Sequence, residues 1–346
     1  VNVEPWLDDD DAAWDALCGE RGEFLQTSAV TRAAAVFGAA THRVRVLDDG
    51  GRPAAAFAVL ETGLRRARVA DRAFARRFQV LGGPLLPDAS RPFADAARHA
   101  VHGVLALAEG RGAVETQWKS SWPAVGAAMP FAAHGFDVAE FGVAWRELPA
   151  RPGDVLATLS RVHRKAVRHA EKSGVTVRET SSADDILPLV DASFRRSGLE
   201  PRNREYLVEL HRRLVAAGAA VGLVAERDGA ALASLLAARC GEAVFNLFHG
   251  RAEGDTHGAS NLLHLRLFER AVELGSARVH TGEAALAESA ADGADDGHGA
   301  LGITRFKRHL GFRVEPCPSA TFVHRPAARR VREAVFGVYR LLRGTA

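Results

Sequence analysis

The stretch Gly302-Ile303-Thr304-Arg305-Phe306-Lys307-Arg308-His309-Leu310-Gly311-Phe312 decides how this chain is read. It holds one of only four lysines in a chain that otherwise uses arginine. It joins a basic turn of helix, an aromatic residue and a Gly-Phe exit, a combination suited to gripping a phosphate. Upstream, Asn261 to Leu274 reads as a helix and Ala277 to Thr281 as a short strand; downstream, Phe312 to Val323 reads as extended. The first half closes on a similar piece. Phe131-Ala132-Ala133-His134-Gly135-Phe136-Asp137-Val138 stands beside Phe306-Lys307-Arg308-His309-Leu310-Gly311-Phe312-Arg313-Val314, which points to an internal duplication.

Working outward, both halves follow one order of elements. In the first, Asp8 to Glu20 and Gln26 to Phe37 read as helices. A hairpin joins His42 to Leu47 and Pro53 to Thr62 through Asp48-Asp49-Gly50-Gly51, residues that tolerate positive φ. Arg65 to Arg77 is a basic connector. A strand at Phe78 to Leu81, a helix at Arg91 to Glu109, a strand at Val114 to Gln117 and an extended pair within Phe136 to Leu148 follow. Pro149 to Gly153 reads as a linker. In the second half, helices at Ile186 to Phe194 and Glu205 to Ala217 precede a hairpin of Val221 to Arg227 and Ala231 to Arg239 around Asp228-Gly229. A strand at Ala243 to Phe248, a helix, a strand, a short helix and a closing strand pair complete it. The fold class is therefore α/β with mixed sheets, in two tandem domains, residues 1–150 and 151–324, followed by a basic segment, 325–346.

Composition agrees. With 346 residues, 47% of them hydrophobic and 25% charged, the chain can bury two cores. A formal net charge of +3 is small, so what matters is where the arginines cluster. Cys18, Cys240 and Cys317 are odd in number and lie in no metal-ligand spacing, which argues against a disulfide framework or a zinc site and for a reducing, cytoplasmic setting. No apolar run approaches the roughly 20 residues that span a bilayer, and the acidic start, Val1 to Asp11, lacks the features of a signal segment. Glu283 to Gly299 has few large apolar residues and reads as a mobile loop; its Glu288, Asp292, Asp295 and Asp296 lack the spacing of a calcium loop.

Three passages make the second half resemble the GNAT fold in its Fem form, the family of aminoacyl-tRNA-dependent transferases that build peptidoglycan cross-bridges. Leu159 to Val175, with its run Arg161-Val162-His163-Arg164-Lys165, resembles the basic helix opening that family's second domain. Ser260 to Gly275 resembles its long third helix, and Thr304 to Phe312 its Phe-Lys motif. The resemblance implies tandem GNAT-like, acyl-CoA N-acyltransferase-like domains, with the last basic segment folding back on the first. Over the first half it is one of topology only.

The resemblance also implies an acyltransferase that moves an amino acid from charged tRNA to an amine acceptor, forming an amide. Phe306 and Lys307, flanked by Arg305 and Arg308, would engage the acceptor end of the tRNA. An ammonium is a compact charge for a phosphate, and an aromatic ring can stack on an unpaired base. Arg196 sits where the family places an arginine near the acceptor's phosphates, and Arg164 and Lys165 of the basic helix are assigned to the same task. His280 and Glu283, at the end of the fifth strand of the second half, are candidates to relay the proton that the attacking amine loses. For each of these a purely structural role stands as the alternative: Phe306 as core, Lys307 solvated, His280 hydrogen-bonded, Glu283 exposed. His264 reads as a satisfied helical histidine, and His249 as lining a cleft.

The basic helix places Arg161, Lys165, Arg168 and Lys172 on one face, an arrangement that attracts a phosphate backbone. Gln26-Thr27-Ser28 keeps the glutamine of the family's nucleotide-peptide site but not the tryptophan and lysine that follow it, which leaves the acceptor open between a peptidoglycan precursor and a natural-product intermediate. The main rival is an acyl-CoA-dependent N-acyltransferase, since Arg251-Ala252-Glu253-Gly254-Asp255-Thr256 partly matches a pyrophosphate-binding turn. A non-catalytic RNA-binding protein is the second. No metal or bound cofactor is implied, with charged tRNA as co-substrate, or acetyl-CoA in the rival reading. A monomer without DNA contacts is expected, and the arginine-rich end leaves contact with anionic lipid open.

Overall fold

The computed structural model describes residues 2–6, 10–63, 75–196, 204–286 and 300–343, with side chains not described at 300–301 and 336–343. Most of the basic connector at 65–77, and 287–299 of the Glu283 to Gly299 segment, lie outside the described residues. The chain divides into two units. One comprises Val1–Cys18, Leu25–Glu140 and Cys317–Ala346; the other comprises Gly19–Phe24 and Phe141–Pro316.

In the first unit, helices α1 (Asp11–Arg21) and α2 (Ser28–Ala33) accompany a sheet built from β1 (Asn2–Pro5), β2 (Ala40–Leu47), β3 (Pro53–Thr62), β4 (Arg77–Leu81), β5 (Glu115–Lys119) and, at its C-terminal end, β12 (Arg313–Val323). Ser319 to Val323 of β12 pair antiparallel with Lys119 to Glu115. The hairpin β2–β3 forms at the Asp-Gly turn, where Asp48 holds the backbone amides of Gly50 and Arg52, each at 3.0 Å. Helix α3 (Phe93–Gly110) links β4 to β5 as a parallel crossover and lies against β3. Gly103 permits that approach, because a Cβ there would sit 2.5 Å from Val46 Cγ2. Behind the sheet lie Phe57, Phe78, Val101, Trp118 and Phe131. A short helix, α4 (Pro123–Ala127), leads to β6 (Asp137–Glu147), one unbroken strand where the sequence suggested an extended pair; no Gly or Pro interrupts Val143 to Glu147 to turn it. The closing pair expected near the end is likewise the single strand β12.

The second unit begins with α5 (Val155–Thr158) and the basic helix α6 (Arg161–Lys172), capped by Ser160. Then come β7 (Thr176–Glu179), α7 (Ala183–Arg196), α8 (Arg204–Ala216), β8 (Ala220–Arg227), β9 (Ala230–Cys240), β10 (Ala243–Arg251), α9 (Ala259–Glu273), β11 (Arg278–Ala284) and α10 (Ala300–His309). Its strands lie in the order β6-β11-β10-β9-β8-β7. β10 and β11 are parallel and joined by α9; the neighbouring pairs are antiparallel. α9 turns Leu262, Leu263, Leu265 and Phe268 onto the core. Both units therefore repeat one plan, a hairpin followed by a helix-linked parallel pair. In the first unit the last helix, α11 (Pro326–Arg343), sends Arg332 to the buried carboxylate of Glu115 at 2.8 Å, with Arg77 and Arg329 on the same group.

Candidate functional site

The parallel pair of the second unit opens. β10 and β11 pair only at Ala243↔Arg278, Val244↔Val279 and Phe245↔His280. At that level each strand also bulges against its outer neighbour, β10 between Asn246 and Phe248 and β11 between His280 and Glu283. Gly282, at φ 72°, supplies the left-handed conformation that the second bulge requires. Bulges bend the strands that carry them, so the ladder ends and a wedge begins between the two edges. A parted pair leaves backbone groups that must find other partners. Lys307, reaching in from α10, provides one answer. Its Nζ donates to the carbonyls of Thr281 and Glu283, each at 2.7 Å.

That placement brings several of the sequence candidates together. Burial pulls the Lys307 ammonium down to about 8, with Glu283 acting in the opposite sense. His280 is buried beside the ring of Phe245, and its Nδ1 accepts from the amide of Gly282 at 3.1 Å, so the neutral ring carries its hydrogen on Nε2 and braces the bulge. Glu283 offers its backbone to Lys307 and exposes its side chain. Phe306 packs edge-on to His264 and His163, with centroids at 5.4 and 5.2 Å, and joins the rim of the core. Arg196, at the end of α7, donates to Arg251 O at 3.3 Å and to Ser193 Oγ at 2.9 Å, and so stands at the outer end of β10.

The other candidates lie on helix surfaces. Arg164 folds back to donate to the carbonyls of Leu159 and Ala157, closing the end of α5. Lys165 is exposed on the cationic face of α6 together with Arg161, Arg168 and Lys172, and none of the four forms an ion pair among the described residues. Arg305 is exposed on α10, and Arg308 is half-buried. α6 and α10 meet where Ser160 N donates to His309 O and where the His163 ring lies 6.0 Å from that of His309.

The sequence marked His264 as a satisfied helical histidine and His249 as lining a cleft, but passed over Asn246, Ser260, Asn261 and His163, which complete the polar floor of the wedge. His264 donates from Nδ1 to Ser260 O at 2.7 Å, and Asn246 Nδ2 lies 3.3 Å from its Nε2. His249 Nε2 meets Ser260 Oγ at 3.1 Å. Burial pushes His249 down to about 3 and His264 to about 4, and lowers His163, so all three rings are neutral near pH 7. The signal was present in Ser260, Asn261 and His264, which fall within one turn of α9. Asn246 and His163 carry no pattern that marks them. Arg146 was missed as well. Buried, it stacks its guanidinium 4.7 Å over Phe268 and donates to Thr158 Oγ1 at 2.7 Å and to Leu310 O, the end of α10. Burial pulls it down to about 10.

Residues 158–298 match the family described as Acetyltransferase (GNAT) domain. No curated protein sequence matches the chain. Among solved structures, a crystal structure of FemX is similar over 96% of this chain and 99% of its own, with a TM-score of 0.77 and 13% identity. The C-terminal domain of a putative lysylphosphatidylglycerol synthetase from Agrobacterium fabrum is similar over 93% and 96%, with a TM-score of 0.56 and 14% identity. A tandem GNAT protein from the clavulanic acid biosynthesis pathway is similar over 93% and 98%, with a TM-score of 0.52 and 17% identity. The fold is that of tandem GNAT proteins. Among the described residues, no helix is long and apolar enough to cross a membrane.

Proposed function

We propose that this chain, whose residues 158–298 match a GNAT domain, transfers an aminoacyl group from charged tRNA to an amine acceptor. The observation that carries this reading is the face of α6. Arg161, Lys165, Arg168 and Lys172 point four charges into solvent with no ion pair among the described residues, on the helix that packs beside Phe306 and His309. In contrast, many arginines elsewhere are paired, such as Arg178 with Asp185 and Glu226. A line of unpaired cations on the solvent face of the helix whose buried side, through His163, meets Phe306 suits a donor with a phosphate backbone. The fold shared with FemX across nearly the whole chain supports the same reading.

In the reaction, the neutral acceptor nitrogen attacks the ester carbonyl carbon. The tetrahedral oxyanion collapses with loss of the C–O bond to the ribose, and the proton released by the nitrogen ends on that ribose oxygen. The products are an amide and uncharged tRNA. The chain's contribution is positioning and charge stabilisation. The α6 face holds the tRNA, Phe306 offers its ring to the terminal base, and Lys307 supplies a positive charge at the wedge edge, with its third N–H remaining for the substrate. Arg196 stands at the outer end of β10 for an anionic group of the acceptor.

An acyl-CoA donor is the second reading, favoured by the turn before α9, where Gly254 and Gly258 take φ of 77° and 78° and open the backbone toward the helix N-terminus. Offering the protein a mixed pool of charged tRNAs and, separately, acetyl-CoA, with amine acceptors added, discriminates the two. Acceptor-dependent deacylation of tRNA is expected. Consumption of the thioester alone refutes the tRNA reading.

A further inference from the structure

Resting on the aminoacyl-transfer reading, we infer that the polar floor of the wedge, formed by His163, Asn246, His249, Ser260, Asn261 and His264, recognises the side chain of the transferred amino acid, and that it takes an uncharged side chain that donates hydrogen bonds, a hydroxyl or a carboxamide.

The first argument fixes one amide. Ser260 O can only accept, so the 2.7 Å contact to His264 places the ring hydrogen on Nδ1. With the ring neutral, Nε2 is a lone pair, and Asn246 must turn its NH2 toward it at 3.3 Å. Flipping the amide would set oxygen against lone pair. Asn246 Oδ1 therefore points elsewhere, and it is buried with no hydrogen-bond partner among the described residues. Asn246 is also the first residue of β10 past the last pair with β11, so this oxygen stands at the root of the wedge.

The second argument comes from the helices above. His163 is 4% exposed, and its Nδ1 and Asn261 Oδ1 are buried without a hydrogen bond of full geometry among the described residues. The two are side-chain hydrogen-bond partners of poor geometry: Asn261 raises the His163 pKa against the effect of burial, while neither atom reaches full bonding geometry. Phe306 lies against both His163 and His264 and links the two groups of atoms. An unsatisfied buried polar atom costs about 1–3 kcal/mol. An unmet Asn246 oxygen and a poorly met His163–Asn261 pair are costly as packing and useful as a recognition site.

Their chemistry selects the ligand. Two amide oxygens ask for donors, and a ring nitrogen between tautomers accepts or donates as needed. A hydroxyl can donate to Asn246 Oδ1. A carboxamide can give its two hydrogens to the two asparagine oxygens. A carboxylate has no hydrogen for these oxygens. An ammonium or guanidinium side chain meets no carboxylate among the six residues, and Lys307 is near enough to disfavour charge on His264. An aliphatic side chain offers Asn246 Oδ1 no donor.

The test uses the full-length protein and one tRNA body charged in turn with serine, threonine, asparagine, glutamine, alanine, valine, lysine or glutamate, with the acceptor amine held constant. The inference expects at least one hydroxyl or carboxamide donor to exceed alanyl and valyl donors in kcat/KM by about 100-fold or more. Asn246→Ala and Asn261→Ala, each checked for an unshifted melting profile, are expected to reduce that preference at least tenfold, mainly through the KM of the preferred donor. The preference of the unmodified protein needs no variant, so a misfolded mutant leaves the test intact. Equal use of alanyl or valyl donors, or preference for lysyl or glutamyl donors, overturns this inference and leaves aminoacyl transfer standing. Consumption of acetyl-CoA with no charged tRNA touched overturns both.

Discussion

The two parallel strand pairs are copies of one plan with opposite outcomes. β4 and β5 stay paired over all five residues from Arg77↔Glu115 to Leu81↔Lys119, whereas β10 and β11 part after three. In the closed pair, Trp118 lies 5.9 Å from Phe57 and 5.5 Å from Phe131 in the core, and its Nε1 donates to Gly82 O at 2.7 Å. Gln26 fills the neighbouring position with both ends of its amide, accepting from Ala58 N and donating to Gly83 O. In the open pair the corresponding level holds two bulges, Lys307 and the histidine floor, with an Asn246 oxygen that has no hydrogen-bond partner among the described residues. A duplicated fold can therefore keep one ladder closed and open the other two residues early, and the proposed site lies in the open copy.

If that contrast is sound, damage to each pair should have a different character. Trp118→Ala, in the closed pair, is expected to cost about 3–5 kcal/mol in urea unfolding, from lost area and a cavity. Its activity per folded molecule should remain; a loss of turnover in the folded fraction would place the first unit in the chemistry.

Arg146→Leu is expected to cost less, about 2–3 kcal/mol, because it removes charge-assisted hydrogen bonds to Thr158 and Leu310 while keeping part of the packing on Phe268. Here turnover should fall with stability, since Leu310 O ends the helix that carries Phe306 and Lys307. A variant with weakened folding and normal kcat would break the link between Arg146 and the wedge.

The smallest effect is one of pH. Because burial brings Lys307 down to about 8, its charge at the wedge edge disappears as pH rises through that value. Relative to Lys307→Arg, whose guanidinium stays charged, the rate of the unmodified protein should decline above about pH 8. Stability should move the other way. Between about 8 and the ordinary lysine value of 10.5 the unfolded chain binds more protons than the folded one, so folding strengthens as pH increases across that window. A rate and a melting temperature that fall together would instead report unfolding.

Much of this was legible because its causes are local. The hairpins follow from Asp-Gly turns between alternating strands, and the repeated Phe-to-Gly-Phe pieces gave away the duplication. Phe306, Lys307 and His280 carry enough chemistry to attract notice one residue at a time. The wedge itself was hidden, because it depends on the register of three strands far apart in sequence and on bulges that only their pairing defines. His163 sat inside a run read for its charge, and Asn246 inside a strand read for its apolar neighbours. Strands β1 and β7, short and polar at the sheet edges, gave no alternation to read.

The central claim is that the donor's aminoacyl end occupies the wedge of the second unit. The most direct measurement is photo-crosslinking with a tRNA whose 3′ end carries a non-hydrolysable amide-linked amino acid bearing a photoreactive group, followed by mapping of the labelled peptides. The account predicts label within Asn246 to His264 and around Phe306, and loss of that label in competition with unmodified charged tRNA. Label confined to the strands and helices of the first unit, or label displaced by acetyl-CoA but not by charged tRNA, would contradict it.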